Sequence, residues 1–215
     1  CRDLAEAEQT RWKFRMGAYI EDEAEHIAYR LKRAEVEEHL EKGKQVNVPE
    51  TTDEKLLQPC GVFVTISSLR NEEKELRGCI GYPYPTTPLV QAVIESAISS
   101  ATQDPRFNPL SRSELDNVVF EVSVLTPPQI IKVEEPKEYS AKIKVGKDGL
   151  IVERGIFKGL LLPQVPVEWN WDEESFLCQC CIKAGLPPDY WLMEGTKVYK
   201  FQAIVFEEEK PKGEV

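Results

Sequence analysis

The chain has 215 residues, 41% of them hydrophobic and 30% charged, and its 27 Lys and Arg against 37 Asp and Glu give a formal charge of −10. Such a chain can bury the core of one large domain or two small ones, which excludes the disordered, collagenous and disulfide-stapled classes. The acidic balance disfavours nonspecific binding to nucleic acid, although it leaves room for a local basic pocket that takes one anion.

The first predicted elements are a long helix and a β-hairpin. Apolar residues at helical spacing predict an amphipathic helix over about 15–42, with His26 on its solvated side. A polar loop follows this helix. The next residues predict a β-hairpin, with a β-rich segment at 61–66, a charged tip at 70–74 and the segment ELRGCIGY at 75–82. No run of about 18 apolar residues and no signal-peptide pattern is present, which predicts a cytoplasmic protein, or a nuclear one if the source is eukaryotic.

The remaining elements mix helices with short strands. Thr87 as N-cap and Pro88 as first residue predict a helix that stops before Asp104, because Pro105 disfavours helical geometry in the residue before it. Later segments predict a strand at 118–125 and a meander of strands at 142–145, 150–153 and 160–162. A helix capped by Asp172 or Asn170 and closed by Gly185 with Pro187 follows, and then a strand at 197–206 and a frayed tail at 207–215. This order predicts an α+β fold with a mixed, mostly antiparallel sheet and packed helices.

The segment ELRGCIGY carries the main candidate site. Side chains alternate across a strand, which predicts two faces: a core face with Leu76, Gly78, Ile80 and Tyr82, and a second face with Arg77, Cys79 and Gly81. Arg77 and Cys79 would then lie about 7 Å apart. A guanidinium at that distance would favour the thiolate and make Cys79 a candidate nucleophile. The glycines would mark a bulge or a place where a ligand or backbone comes close.

Plainer interpretations of the same residues remain open. A cysteine in a strand is often inert packing, and Arg77 could be a surface residue paired with Glu75 or Glu121. The amide groups that begin the helix at Pro88 offer a natural anion site close to the hairpin.

The other cysteines give no metal or cofactor prediction. The cluster CQCC at 178–181 has no second pair or histidine at zinc-ligand spacing, so we expect it to fill the core. Free thiols are the expected state in a reducing compartment, although a disulfide is not excluded. No phosphate-binding loop and no dinucleotide fingerprint occurs, and no cofactor is predicted.

Five further sequence blocks occur in this order: LRGCIGY, DPRFNPLS, EVSVLTPP, GKDGLIVERG with GLLLPQV, and WNWDEESFLCQCCIKAGL. Together they resemble the AMMECR family, named for the Alport syndrome, mental retardation, midface hypoplasia and elliptocytosis region. LRGCIG is the hallmark of that family, and the resemblance covers about residues 12–206 as a single domain. It implies an α+β fold of two unequal, interleaved subdomains with a cleft between them that the hallmark borders.

The resemblance implies a place in an intracellular modification pathway with a radical-SAM protein and a Memo-like protein, with RNA as one candidate substrate, but no established activity. The hallmark LRGCIG occupies residues 76–81 of this chain, and the block DPRF occupies residues 104–107. Two hypotheses stay open.

In the first hypothesis the protein is an enzyme or enzyme subunit in which Cys79 is nucleophile or covalent carrier and Arg77 holds an anionic group. Arg106 and Asp104 then shape the pocket. In the second, the protein is a non-catalytic binding or scaffold module for a small molecule, nucleotide or protein, and Gly78 and Gly81 admit the ligand backbone.

Overall fold

The computed structural model describes residues 33, 36–41, 56–70 and 73–211. Residues 33 and 36–41 are helical and belong to the predicted first helix, whereas the rest of that helix, with His26, lies outside the described residues. The chain divides into two compact units, Cys1–Thr126 with Ile204–Val215, and Pro127–Ala203. Within the described ranges no helix is long and apolar enough to cross a membrane.

The described part of the first unit contains one four-stranded sheet and, besides the helical residues 33 and 36–41, one further α-helix. Its elements are β1 (Gly61–Arg70), β2 (Glu73–Tyr82), α1 (Leu89–Thr102), β3 (Val118–Leu125) and β8 (Ala203–Glu207). The strand order is β2-β1-β3-β8, and β1 pairs antiparallel with both β2 and β3. The predicted hairpin and the strand at 118–125 are confirmed.

Helix α1 packs its apolar side on one face of this sheet. The β1 residues Val62, Val64 and Ile66 are fully buried in one core with the apolar residues of α1. Alternation along β1 therefore sends the intervening residues, including Thr65, to the opposite face.

Backbone amides at the N-terminus of α1 donate hydrogen bonds to carbonyl groups of the preceding chain segment. The helix begins at Leu89, one residue later than predicted, with Pro88 as its N-cap and no side-chain cap. The amides of Leu89 and Val90 donate to the carbonyls of Gln58 and Leu56, at 2.9 and 3.0 Å. The anion site predicted at this helix end is therefore wrong, because two of its free donors are already used.

The second unit contains a second four-stranded sheet with order β4-β7-β5-β6. Its elements are β4 (Gln129–Ile130), β5 (Gly149–Arg154), β6 (Phe157–Leu161), α2 (Val165–Glu168), α3 (Glu173–Lys183) and β7 (Lys197–Phe201). Asp172 caps α3 by accepting from the Ser175 amide at 2.8 Å, as predicted. The predicted end of this helix at Gly185 is also confirmed, with a left-handed φ of 77°.

Three details of the predicted order are wrong. Residues 142–145 form no strand, because the 3-10 helix Pro136–Lys142 and a turn occupy this stretch. The strand predicted at 197–206 is two strands in different sheets, separated at Gln202. The tail is ordered at its start, since Glu207 ends β8 and Glu208 is fully buried. The α+β class with antiparallel pairing is confirmed, although the strands form two sheets.

Candidate functional site

A β-bulge lies at Arg77, in the middle of the candidate segment. Ile66 pairs with Gly78 and Ser67 pairs with Leu76, so Arg77 is the extra residue that faces no partner on β1. The bulge breaks the predicted alternation of side chains, so Leu76 no longer lies on the core face. This residue is 41% exposed. Arg77 is thereby re-aimed, as bulges do to single side chains.

Gly78 and Gly81 are required by close packing inside the protein. A Cβ on Gly78 would lie 2.2 Å from the carbonyl oxygen of Ser100 in α1, and one on Gly81 would lie 2.2 Å from that of Val62. The close approach at Gly78 lets the Ser100 hydroxyl accept from the Ile80 amide at 2.8 Å and donate to the Val64 carbonyl at 2.7 Å. The structure shows backbone approach at both glycines, and it also shows the predicted bulge, directly beside Gly78.

Gly78→Ala is expected to lower the free energy of unfolding by about 2 kcal/mol, because the added methyl forces α1 away from β2 and strains the Ser100 bridge. Urea unfolding monitored by circular dichroism measures the change. Gly155→Asn is the control: an added Cβ there meets nothing within 4 Å, and asparagine tolerates the φ of 58°. Equal unfolding midpoints for the Gly78→Ala variant and the wild type would contradict this account.

Asp104 and Arg106 hold the backbone of Cys79 at the outer edge of β2. The Cys79 amide donates to Asp104 Oδ2 at 2.9 Å, and Arg106 Nη2 donates to the Cys79 carbonyl at 3.4 Å. Arg106 also grips Asp104 with Nε and Nη2, at 3.0 and 2.7 Å. This pair replaces the neighbouring strand that an edge strand lacks, so it fixes the position of Cys79.

The Cys79 thiol lies in a row of polar side chains opposite α1. Thr65 of β1 is the cross-strand partner of both Cys79 and Glu121, and its hydroxyl donates to the Cys79 sulfur at 3.4 Å. Burial raises the pKa of the Cys79 thiol; the Thr65 hydrogen bond and the Arg106 charge oppose this, while Glu121 and Asp104 add to it. The expected lowering of this pKa by Arg77 is therefore wrong.

Arg77 binds Glu114 and contacts Phe107. Its Nε donates to Glu114 Oε1 at 3.0 Å, and its guanidinium carbon lies 5.8 Å from the centroid of the Phe107 ring. Arg106 lies 5.4 Å from the same centroid. Burial alone would raise the pKa of Glu114, but hydrogen bonds from Arg77 and Ser111 have the larger combined effect and lower this pKa to about 2. Two cations and one aromatic ring therefore form a single cluster.

The structure brings together most of the residues that the sequence suggested. Cys79, Asp104 and Arg106 are in direct contact, and Arg77 joins Arg106 through Phe107. Sequence analysis missed the role of Glu114, because no local pattern connects it with Arg77 37 residues earlier. Among the described residues no group of three or more His, Cys, Asp or Glu could hold a metal ion.

Comparison with known proteins gives one consistent result. The AMMECR1 family model matches residues 29–206, nearly the whole chain. The chain belongs to the AMMECR1 family. A Pyrococcus abyssi relative is 55% identical over 199 residues, covering 92% of this chain and 97% of the relative. A Methanocaldococcus jannaschii relative is 54% identical over 192 residues, covering 88% and 92%.

A solved member of the AMMECR1 family has the same fold. The crystal structure of an uncharacterized protein from Pyrococcus horikoshii matches with a TM-score of 0.83 and 57% sequence identity. The match covers 87% of this chain and 92% of that one. The family resemblance found in the sequence is thus confirmed, while the relatives' names assign no activity.

Proposed function

We propose that the protein is a ligand-binding module that recognises an anionic group through Arg77 and Arg106, with Cys79 as a packing neighbour of the site. One observation carries this proposal. The Arg77 side chain is only 16% exposed, yet its Nη1 and Nη2 donate to no partner within the described residues. Both nitrogens still reach solvent at the surface of this half-buried side chain, so they are available to hydrogen-bond a ligand.

The chemistry of the two arginines indicates the ligand class. With Nε held by Glu114, the free end of Arg77 presents a planar pair of nitrogens that matches a carboxylate or phosphate bidentately. Arg106 Nη1 is likewise without a partner among the residues described, and its side chain is 46% exposed. The net charge of −10 disfavours a long phosphate backbone, so one phosphate or carboxylate group is the better fit.

Nucleophilic catalysis by Cys79 has weaker support. Burial raises its pKa, and Arg77, the residue expected to activate it, binds Glu114 instead. The pathway that the family resemblance implies, with a radical-SAM protein, a Memo-like protein and RNA as a candidate substrate, accommodates a binding subunit equally well. A location in the cytoplasm belongs to the same proposal.

Calorimetric titration at low salt with inorganic pyrophosphate, AMP and citrate tests the binding site. We expect at least one of these probes to bind, and Arg77→Ala to weaken it at least tenfold, because a hydrogen bond to a charged group contributes about 1.5–3 kcal/mol. Arg77→Lys should recover little, because a lysine lacks the bidentate fork. Arg112→Ala is the matched control, since it removes the same charge from an exposed cluster with Glu37, Glu41 and Asp116.

Two results would overturn the proposal. One is the absence of binding by all three probes, and the other is equal weakening by Arg77→Ala and Arg112→Ala. Cys79→Ala is expected to bind within twofold of the wild type. Rapid iodoacetamide labelling of Cys79 with an apparent pKa well below about 8.5 would instead favour a nucleophilic role.

A further inference from the structure

The three cysteines of α3 have different surroundings. Cys180 is fully buried against the sheet, where its thiol donates to the carbonyls of Leu150 and Gly159 at 3.6 and 3.5 Å. Cys178 and Cys181 instead share a neighbour, Trp191. Cys180 is thus committed to packing, whereas the other two form a separate pair.

Trp191 lies beside both Cys178 and Cys181. Its indole nitrogen donates to the Cys178 sulfur at 3.4 Å, and Trp191 packs in the same buried cluster as Cys181. The two cysteines are three residues apart in α3, so they are neighbours on the helix surface. Helical rise and radius place their Cα atoms about 5 Å apart, inside the range of about 4.4–6.8 Å that disulfides span.

We propose that Cys178 and Cys181 form a dithiol site that a low-molecular-weight disulfide oxidises reversibly to an intrahelical disulfide. The two residues differ in access, since Cys178 is partly exposed and Cys181 is fully buried. A solvent-accessible thiol next to a resolving cysteine is the arrangement used by redox-sensitive pairs.

The reaction proceeds by two exchanges. The Cys178 thiolate attacks one sulfur of the small disulfide, forming a mixed disulfide and releasing one small thiol, which takes up the proton that Cys178 lost. Cys181 then loses its proton and attacks the Cys178 sulfur, releasing the second small thiol. Two protein thiols are oxidised by two electrons, and the small disulfide is reduced to two thiols.

Helix geometry makes this disulfide easy to reduce. Neighbouring Cβ atoms on a helix lie about 5–6 Å apart, whereas a disulfide needs about 3.5–4.5 Å. Closing the bond therefore strains one turn of α3, and strained disulfides are the labile ones. Burial raises the pKa of Cys181 to about 11, which makes the second exchange the slow step.

Peptide mapping after treatment with oxidised glutathione tests the site. The folded full-length protein is oxidised, denatured and alkylated with iodoacetamide, and trypsin then releases residues 159–183 with all three cysteines. We expect this peptide to carry alkylation on Cys180 and a bond between Cys178 and Cys181. Dithiothreitol should restore alkylation at all three cysteines.

Variants separate the two exchange reactions. Cys181→Ser should stop after the first exchange and keep glutathione on Cys178. Cys178→Ser should leave Cys181 unmodified, and Cys180→Ser should still form the disulfide between Cys178 and Cys181. The wild-type map decides the question if a variant fails to fold. Stable glutathione on wild-type Cys178, a bond that includes Cys180, or no reaction at any of the three would each overturn the proposal.

Discussion

Arg33→Ala is expected to lower the free energy of unfolding by about 3–5 kcal/mol, because it leaves a buried carboxylate without its partner. Arg33 donates to both oxygens of Glu208, at 3.2 and 2.7 Å, and the Glu208 side chain is 0% exposed. It also donates to the carbonyls of Leu115 and Val118, at 2.7 and 2.8 Å. Its guanidinium carbon lies 5.0 Å from the centroid of the Phe120 ring. One side chain thus joins the first helix to β3 and to the end of β8.

Urea denaturation gives the size of this effect, with Arg112→Ala as control. Arg112 is 44% exposed and pairs with carboxylates at the surface, so its loss should leave the unfolding midpoint nearly unchanged. The double variant Arg33→Met with Glu208→Leu should recover part of the lost stability, because apolar residues remove the need to bury charge. A midpoint for Arg33→Ala close to that of Arg112→Ala would show that the buried pair contributes little.

Local sequence signals predicted the elements whose causes are local. Asp172 and Gly185 mark the two ends of α3, because a capping carboxylate and a left-handed residue act within a few positions. The division of 197–206 was missed for the opposite reason. Its β-forming residues favour one continuous strand, and only their partners in two different sheets separate β7 from β8 at Gln202.

The sequence indicated most residues of the candidate site, but the predicted position of the Arg77 side chain was wrong. Even alternation places Arg77 beside Cys79, whereas the bulge at Arg77 redirects its side chain to Glu114. That bulge lies next to Gly78, where α1 packs directly on the strand, so it depends on contacts that a strand pattern does not contain. The bond between Asp104 and the Cys79 amide spans 25 residues and is equally invisible in the sequence.

Asp104→Ala is expected to cost about 3 kcal/mol of unfolding free energy, since it removes hydrogen bonds to a charged acceptor and leaves the Cys79 amide unpaired at the edge of β2. The cost should depend on pH. The Arg106 guanidinium lowers the pKa of Asp104 well below its usual value, and the Cys79 amide adds to this against the effect of burial. A carboxyl group whose pKa is lowered on folding stabilises the folded state at pH values above its unfolded pKa of about 3.9. This stabilisation is lost as the pH falls further.

The stability difference between wild type and Asp104→Ala should therefore be constant near neutral pH and shrink below about pH 4. Arg106→Ala is the informative comparison, because it leaves Asp104 bonded to the Cys79 amide but removes the ionic partner of a buried carboxylate, so it should also lower the free energy of unfolding, by about 3–5 kcal/mol. Iodoacetamide labelling of Cys79 should be faster in Asp104→Ala, since the strand edge that holds this residue loosens. If iodoacetamide labels Cys79 no faster in Asp104→Ala than in Arg106→Ala, the bond between Asp104 and the Cys79 amide contributes nothing to holding the strand edge, and another contact must hold Cys79 in place.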